Sequence, residues 1–175
     1  MGRLLGGTST RTFFVLPAAV LAEQAVARRP LHLRWAPVMA WGYLQYRLAG
    51  DYRIVRAGGP PGMSQGQPER LVTSGIYART RNPMYLGHLV FLTGLTLVTR
   101  SPVALALAAG HLHWFDERAR TDHRRLIGIF GQPYAEYAAR VPRWLPGLPT
   151  DRDEPWTDLE LGPVKGQPRS KHCAG

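Results

Sequence analysis

The sequence predicts an all-helical integral membrane bundle of about four transmembrane helices with a cytoplasmic helical cap. Four apolar blocks lie near residues 12–27, 35–50, 83–99 and 102–115, and arginine-rich connectors separate most of them. Each block is shorter than the roughly 20 residues that a full span prefers. Two of the blocks are joined only by Arg100 and Ser101, and this density favours a membrane bundle. A soluble helical bundle is the alternative architecture.

The distribution of positive charge supports the same fold class. The net charge of +10 comes almost entirely from arginine. Such a basic chain suggests nucleic-acid binding at first, but the arginines follow the connectors instead. If the chain crosses the membrane four times, most of the arginines and both termini lie on the same side. The positive-inside rule assigns that side to the cytoplasm. That side would carry Arg3, Arg11, Arg47, Arg53, Arg56, Arg70, Arg79, Arg81, Arg118, Arg120, Arg124 and Arg125, and the other Arg28, Arg29, Arg34 and Arg100.

The first two blocks predict a helical hairpin. Pro30 ends the first helix, and Pro37 lies in the first turn of the second. A cleavable signal peptide is an alternative for the first block, because Arg3 and Arg11 precede an apolar stretch. Residues 53–67 are rich in Gly and Pro and predict a loop that could form a lid or pocket rim.

Polar and aromatic residues crowd the segment LVTSGIYARTRNPMYLG (residues 71–87), immediately before the third block. Residues 70–77 predict a short amphipathic piece with Gly75 as a hinge. Asn82 is a candidate N-cap for a helix with Pro83 in its first turn, and Gly87 and Gly94 allow close helix approach. Because buried polar groups need partners, a polar ligand is expected here, at the edge of a membrane.

The fourth block continues into a charged segment, residues 116–130, that predicts a helix leaving the bilayer. The break at Gly131-Gln132-Pro133 precedes a further short helix over residues 134–139. Arg124 and Arg125 are assigned to surface or headgroup contacts. Residues 150–175 predict a disordered polar tail. One cysteine, Cys173, excludes a disulfide framework, and the spacing of the histidines argues against a metal site.

Two motifs in order, LVTSGIYARTRNPMYLG and FGQPYAEYAARVPRWLP (residues 130–146), resemble the isoprenylcysteine carboxyl methyltransferase family, whose pocket is shared with the phospholipid N-methyltransferases. The resemblance covers a motif region of residues 58–146. It implies that residues 1–149 form a membrane methyltransferase domain that uses S-adenosylmethionine. It also implies a lipophilic acceptor, among membrane lipids, with neither nucleic acid nor metal involved.

The resemblance assigns site residues by position. Arg118 and Asp122 are the implied catalytic residues, and as i and i+4 on a helix they share a face. Asn82 stands where many relatives have His, and Asp122-His123 replaces a Glu-Glu pair. The acidic pair Asp116-Glu117 is a near match at the wrong spacing. The implied cofactor-binding residues are Glu69, Arg70, Leu71, Val72, Tyr77, Asn82, Pro83, Met84, Tyr85 and Asp122.

The expected function is therefore methyl transfer to a lipid-like or isoprenoid-bearing acceptor, with carboxyl O-methylation as one form. An alternative is phospholipid amine N-methylation. A catalytically degenerate membrane scaffold is a second alternative, because Asn82 and His123 depart from the family pattern. The expected location is a membrane of the inner or plasma type.

Overall fold

The computed structural model describes residues 7–57 and 68–145. Their regular structure is helical throughout, which confirms the all-helical class. The main helices are α1 (Leu16–Ala27), α2 (Ala36–Ala57), α3 (Pro83–Thr99), α4 (Pro102–Phe130) and α5 (Gln132–Arg140). Short pieces at Thr8–Thr10 and Arg11–Val15 lead into α1, a turn at Leu33–Trp35 precedes α2, and another at Gly75–Ala78 precedes α3.

The first hairpin turns where the sequence places it. Helix α1 ends at Arg28, which adopts the left-handed conformation with φ 49°. The far end of the bundle is then tied together by polar contacts from α1. The Gln24 side chain donates to the Thr99 carbonyl, and Ser101 Oγ donates to Glu23 at 2.8 Å. These bonds fix α1 against the connection between α3 and α4.

Helices α2 and α3 pack through glycines at unusually short range. A Cβ atom on Gly42 would lie 2.3 Å from the backbone nitrogen of Phe91, and one on Gly94 would lie 2.5 Å from that of Met39. Gly87 is similarly close to Gly42 and Tyr46. The predicted close approach at Gly87 and Gly94 is therefore confirmed, with Gly42 of α2 opposite Gly87 and Met39 opposite Gly94. Small residues bring two backbones together in this way.

Helix α4 is a single helix of 29 residues, so the apolar fourth block and the charged segment after it are continuous. Ser101 caps its start by accepting from the backbone nitrogens of Val103 and Ala104. Gly131, with φ 58°, turns the chain into α5. This turn brings α5 back against the charged half of α4, where Ile127, Tyr134 and Tyr137 are buried together.

Two local predictions were wrong. Arg53–Ala57, expected to belong to a loop, continue α2 because they contain neither Gly nor Pro. Arg56 lies 3.7 Å above the ring of Tyr52. Asn82 occupies the N-cap position of α3 but makes no side-chain cap bond. Its Nδ2 instead donates to the Arg143 carbonyl at 3.2 Å.

None of the helices in the described part of the chain is at once long enough and apolar enough to cross a membrane. The predicted count of four spans thus stays a prediction. The predicted loop over residues 58–67 and the predicted tail over 150–175 lie outside the described residues.

Candidate active site

Both sequence motifs meet at one cavity, called here the motif cavity. Together with the solvent at its mouth it encloses about 880 Å³. It lies between the ends of α2 and α3, the second half of α4, and α5. Its lining comprises Arg53, Ala57, Pro68, Arg70, Leu71, Val72, Tyr77, Arg81, Asn82, Pro83, Met84, Tyr85, Asp122, His123, Arg125, Leu126, Phe130, Tyr134 and Tyr137.

One wall of the motif cavity is a polar chain that joins α3 to α4. The Tyr85 hydroxyl donates to Asp122 Oδ2 at 2.5 Å. Arg118 Nε lies 3.8 Å from Asp122 Oδ1, one turn earlier on α4. A hydrogen bond to the Tyr85 hydroxyl and the charge of Asp122 raise the pKa of Arg118. These contacts hold the Asp122 carboxylate at the cavity wall, with the Arg118 guanidinium just outside the lining.

A second polar cluster lies deeper in the cavity. Arg81 NH1 lies 2.9 Å from His123 Nδ1, and the Tyr134 hydroxyl lies 3.3 Å from the same nitrogen. A guanidinium can only donate, so His123 Nδ1 accepts, and a ring accepting there is neutral with its proton on Nε2. His123, at the second position of the family's acidic pair, thus supplies no negative charge.

Two tyrosines form the frame of the cavity. The Tyr137 hydroxyl donates to the Tyr77 carbonyl at 2.7 Å, and the Tyr77 hydroxyl donates to the Ala49 carbonyl at 3.3 Å. Burial raises the pKa of Tyr77 to about 12, although nearby Arg53 lowers it. Burial likewise raises the pKa of Tyr137. Both hydroxyls therefore stay protonated donors, and together they join α5, α2 and residues 75–82, called here the motif turn.

The segment after α5, residues 141–144, is called here the strap, and it holds the motif turn from behind. The Pro142 carbonyl accepts from the Arg81 backbone nitrogen at 3.0 Å. The Arg143 carbonyl accepts from Thr80 Oγ1 and Asn82 Nδ2, each at 3.2 Å. These bonds fix Arg81 and Asn82 at the cavity wall, and they explain why the Asn82 side chain does not cap α3.

Comparisons with known proteins match the same region. A profile of the family described as "Phospholipid methyltransferase" matches residues 53–132. Protein-S-isoprenylcysteine O-methyltransferase B of Arabidopsis thaliana is 37% identical over 78 residues, which are 44% of this chain and 40% of that protein. The Homo sapiens protein-S-isoprenylcysteine O-methyltransferase is 36% identical over 77 residues, 43% of this chain and 27% of the relative.

The solved structure of the eukaryotic intramembrane Ras methyltransferase ICMT (isoprenylcysteine carboxyl methyltransferase) matches with a TM-score of 0.54 and 25% identity. The match covers 77% of this chain and 48% of that one. The resemblance to the isoprenylcysteine carboxyl methyltransferase family is confirmed. The chain spans less than half the length of the curated relatives it matches. The cobalt-zinc-cadmium resistance protein CzcN of Cupriavidus metallidurans is also similar, at 38% identity over 89 residues, 50% of this chain and 41% of that protein.

The site residues that the family resemblance implied fall mostly in one place. All the implied cofactor-binding residues except Glu69 line the motif cavity. Glu69 is exposed and is not part of the lining, although its neighbours Pro68 and Arg70 are. Arg118 lies outside the lining and contacts it through Asp122. The functional roles of these residues stay predictions.

The cavity also contains residues that the family pattern did not assign. Arg125, expected at the surface or among headgroups, lines the cavity, and so does Arg53 from the segment expected to be a loop. Arg81, Tyr134 and Tyr137 contribute as well. Their positions in the motifs were a signal, since Arg81 lies beside the assigned Asn82 and both tyrosines lie in the second motif. For Arg53, only the extension of α2 reveals the position.

The lining suits the parts of S-adenosylmethionine, the methyl donor that the family resemblance implies. Asp122 offers an acceptor for an ammonium group, and Arg70 and Arg125 offer donors for a carboxylate. The rings of Tyr77 and Phe130, beside apolar side chains such as Leu126, offer walls for a nucleobase. Among the residues that the structure describes, there is no group of three or more His, Cys, Asp or Glu side chains able to hold a metal ion.

Proposed function

We propose that this chain is a membrane-embedded, S-adenosylmethionine-dependent methyltransferase that methylates the carboxyl group of an isoprenylated cysteine or a closely similar lipid-like acceptor. The observation that carries the proposal is the motif cavity itself. Residues 70–85 and 122–137 converge there, and Tyr85 of the first segment is bonded to Asp122 of the second, 37 positions later in the sequence. The names of the relatives favour a carboxyl acceptor.

In this proposal, Asp122 and the arginines of the lining hold the charged ends of the methyl donor, and the aromatic residues hold its base. S-adenosylmethionine supplies a methyl group on a positively charged sulfur, and transfer to a carboxylate oxygen leaves a neutral ester and a neutral sulfide. No proton has to move. The chain therefore needs no general base, which fits both Asn82 and a neutral His123. Its contribution is alignment of the two reactants.

Arg118 is placed to position the acceptor. It lies beside Asp122 but outside the cavity lining, and its side chain is 36% exposed. A guanidinium binds a carboxylate with well-defined geometry. In the proposed mechanism, Arg118 orients the acceptor carboxylate toward the cavity, while Tyr85 keeps Asp122 directed at the donor.

The membrane part of the proposal rests on apolar side chains that point away from the bundle. Phe14, Leu48, Leu105 and Leu112 are each more than half exposed along the helices. In this proposal, these exposed apolar side chains contact lipid. We place the cavity end, which carries Arg53, Arg70 and Arg125, on the cytoplasmic side, as the positive-inside rule predicts. About four helices then cross or enter the bilayer.

Membrane embedding is tested by extraction of isolated membranes with alkaline carbonate. The protein is expected to stay in the pellet, and to enter solution only with detergent. Recovery in the carbonate supernatant would refute the embedding. Reporter fusions at each end would test the expected cytoplasmic orientation of both termini.

Binding of the methyl donor is tested by calorimetry on detergent-purified protein. Wild type is expected to bind S-adenosylmethionine with micromolar affinity. Asp122→Ala removes the carboxylate and Tyr85→Phe removes only the hydroxyl, and both are expected to weaken binding at least tenfold. Glu117→Ala is the matched control, because this exposed carboxylate on α4 does not line the cavity. A folded wild type that does not bind the donor would refute the enzyme proposal.

The acceptor is tested by product analysis with methyl-labelled donor and membranes. Carboxyl methylation is expected to give a base-labile ester. A label found instead in a base-stable N-methyl headgroup would favour phospholipid amine methylation, which the matching family profile keeps as the second candidate.

A further inference from the structure

Asp116, the acidic residue at the wrong spacing for the motif, binds the strap. Its Oδ1 accepts from Trp144 Nε1 at 3.0 Å and lies 3.5 Å from Arg143 NH1. Its Oδ2 accepts from Arg120 Nε at 3.0 Å. Partial burial favours the neutral acid, but the bonds from Trp144 and Arg120 outweigh it and lower the pKa of Asp116. An ionised carboxylate therefore fixes the Trp144 indole in orientation.

The indole of Trp144 lies outside the lining of the motif cavity, against the cluster that contains Tyr85. Trp144 and Leu89 are half-buried and pack against the buried cluster of Tyr85, Phe115 and Ala119. Tyr85 belongs to both regions, because its hydroxyl bonds Asp122 at the motif cavity while its ring lies 5.1 Å from that of Phe115. None of the other cluster residues lines the cavity. Tyr85 thus separates the cavity from an apolar surface.

When the motif cavity holds the methyl donor, the acceptor has to approach Tyr85 and Asp122 from outside that cavity. Arg118 supplies a cationic group there, within 3.8 Å of Asp122. Leu89 and Trp144 supply partly exposed apolar surface against the cluster that contains the ring of Tyr85, whose hydroxyl bonds Asp122. The combination suits a molecule with an anionic head and a hydrocarbon chain, with the head at Arg118 and the chain across Leu89 and the indole.

We propose that Trp144, held by Asp116, is the residue that selects the acceptor by its hydrocarbon chain. Asp116 is a positioning residue, because it acts only through the indole. The inference rests on the proposed methyltransferase function and deepens it. A rigid aromatic side chain at a fixed place limits the space beside Tyr85 and provides a large contact area at a low entropic cost.

The test compares three synthetic acceptors that share a head and differ in chain: N-acetylcysteine carrying a geranyl, farnesyl or geranylgeranyl thioether. The dissociation constant of each is measured with S-adenosylhomocysteine bound, so that binding is read without turnover. The ratio of kcat/KM between chains is measured separately. The variants are Trp144→Ala, Trp144→Phe and Asp116→Asn, with Trp41→Ala as control, since Trp41 is an exposed tryptophan on α2 outside the cluster.

Trp144→Ala is expected to weaken binding of the farnesyl compound about tenfold, the factor that ~1.4 kcal/mol makes. It is also expected to shift the preference toward the longest chain, while affinity for S-adenosylmethionine stays within about twofold, a difference below that energy. Trp144→Phe keeps the ring and is expected to restore most of the farnesyl affinity. Asp116→Asn keeps the indole and only weakens the hold on it, so it is expected to lose no more farnesyl affinity than Trp144→Phe, and Trp41→Ala is expected to match wild type.

Each failure has a distinct pattern. A wild type that methylates an acceptor but keeps the same chain preference in both Trp144 variants overturns the inference alone. Equal losses of donor and acceptor affinity in Trp144→Phe would assign Trp144 a purely structural role and also overturn it. A folded wild type that binds no donor overturns the proposed function, and the inference with it.

Discussion

Alanine in place of Gly94 perturbs a very close contact between α2 and α3 without touching the motif cavity. The new Cβ would lie 2.5 Å from the backbone nitrogen of Met39 and 2.7 Å from its Cα, whereas ordinary contact begins at 3.4 Å. Backbone atoms of α2 cannot rotate away as a side chain would. Helices α2 and α3 would therefore have to separate by the better part of an ångström.

The magnitude follows from two opposed effects. Overpacking of a tight contact costs about 1–3 kcal/mol, and the backbone partners at Gly94 place it at the upper end. Alanine also has a higher helix propensity than glycine, which offsets about 1 kcal/mol of this cost. The net loss is about 2 kcal/mol, which lowers the melting temperature by about 4–8 °C for a chain of this size. Gly42→Ala, with a 2.3 Å approach, is expected to lose at least as much.

The control is the same substitution where a Cβ meets nothing. Gly110 lies in α4 with no atom within 4 Å of the position its Cβ would take. Gly110→Ala therefore keeps only the propensity gain of up to about 1 kcal/mol. Apparent melting temperatures in one detergent are expected to fall for Gly94→Ala and to rise or stay constant for Gly110→Ala. Equal shifts for the two variants would refute the argument that this contact sets the α2–α3 distance.

Two further predictions concern the frame of the fold. The raised pKa of Tyr77 means that folding favours its protonated form. The stability that this preference contributes is complete below about pH 10, the pKa of an unfolded tyrosine. It is lost as the pH rises through about 12, the pKa in the folded protein. The difference in tyrosinate absorbance between wild type and Tyr77→Phe should show one tyrosine titrating near pH 12, and a midpoint near pH 10 would contradict its burial. Ser101→Ala removes the cap of α4 and the bond to Glu23, so it should destabilise the protein by about 1 kcal/mol. Thermal melting measures the loss, with Thr93→Ala as an exposed mid-helix control. Equal melting temperatures for the two variants would show that the cap contributes nothing.

Helix positions were readable from the sequence because they depend on local signals. Pro83 and Pro102 lie in first turns, and α3 extends over residues 83–99 as the apolar block predicts. The break at Gly131 was equally local. The end of α2 was missed because residues 53–67 were treated as one Gly- and Pro-rich segment. Arg53–Ala57 contain neither Gly nor Pro, and their own residues favour a helix.

The sequence by itself also determined the two motifs and, through their family resemblance, most of the residues that line one cavity. Only the tertiary structure decided how these residues pair. Tyr85 meets Asp122, Asn82 bonds the strap rather than its own helix, and Asp116 holds Trp144. Such pairs join residues about 30 to 60 positions apart, and no local propensity encodes them. They depend on how α3, α4 and the strap pack together, and glycine contacts fix α3 in turn against α2.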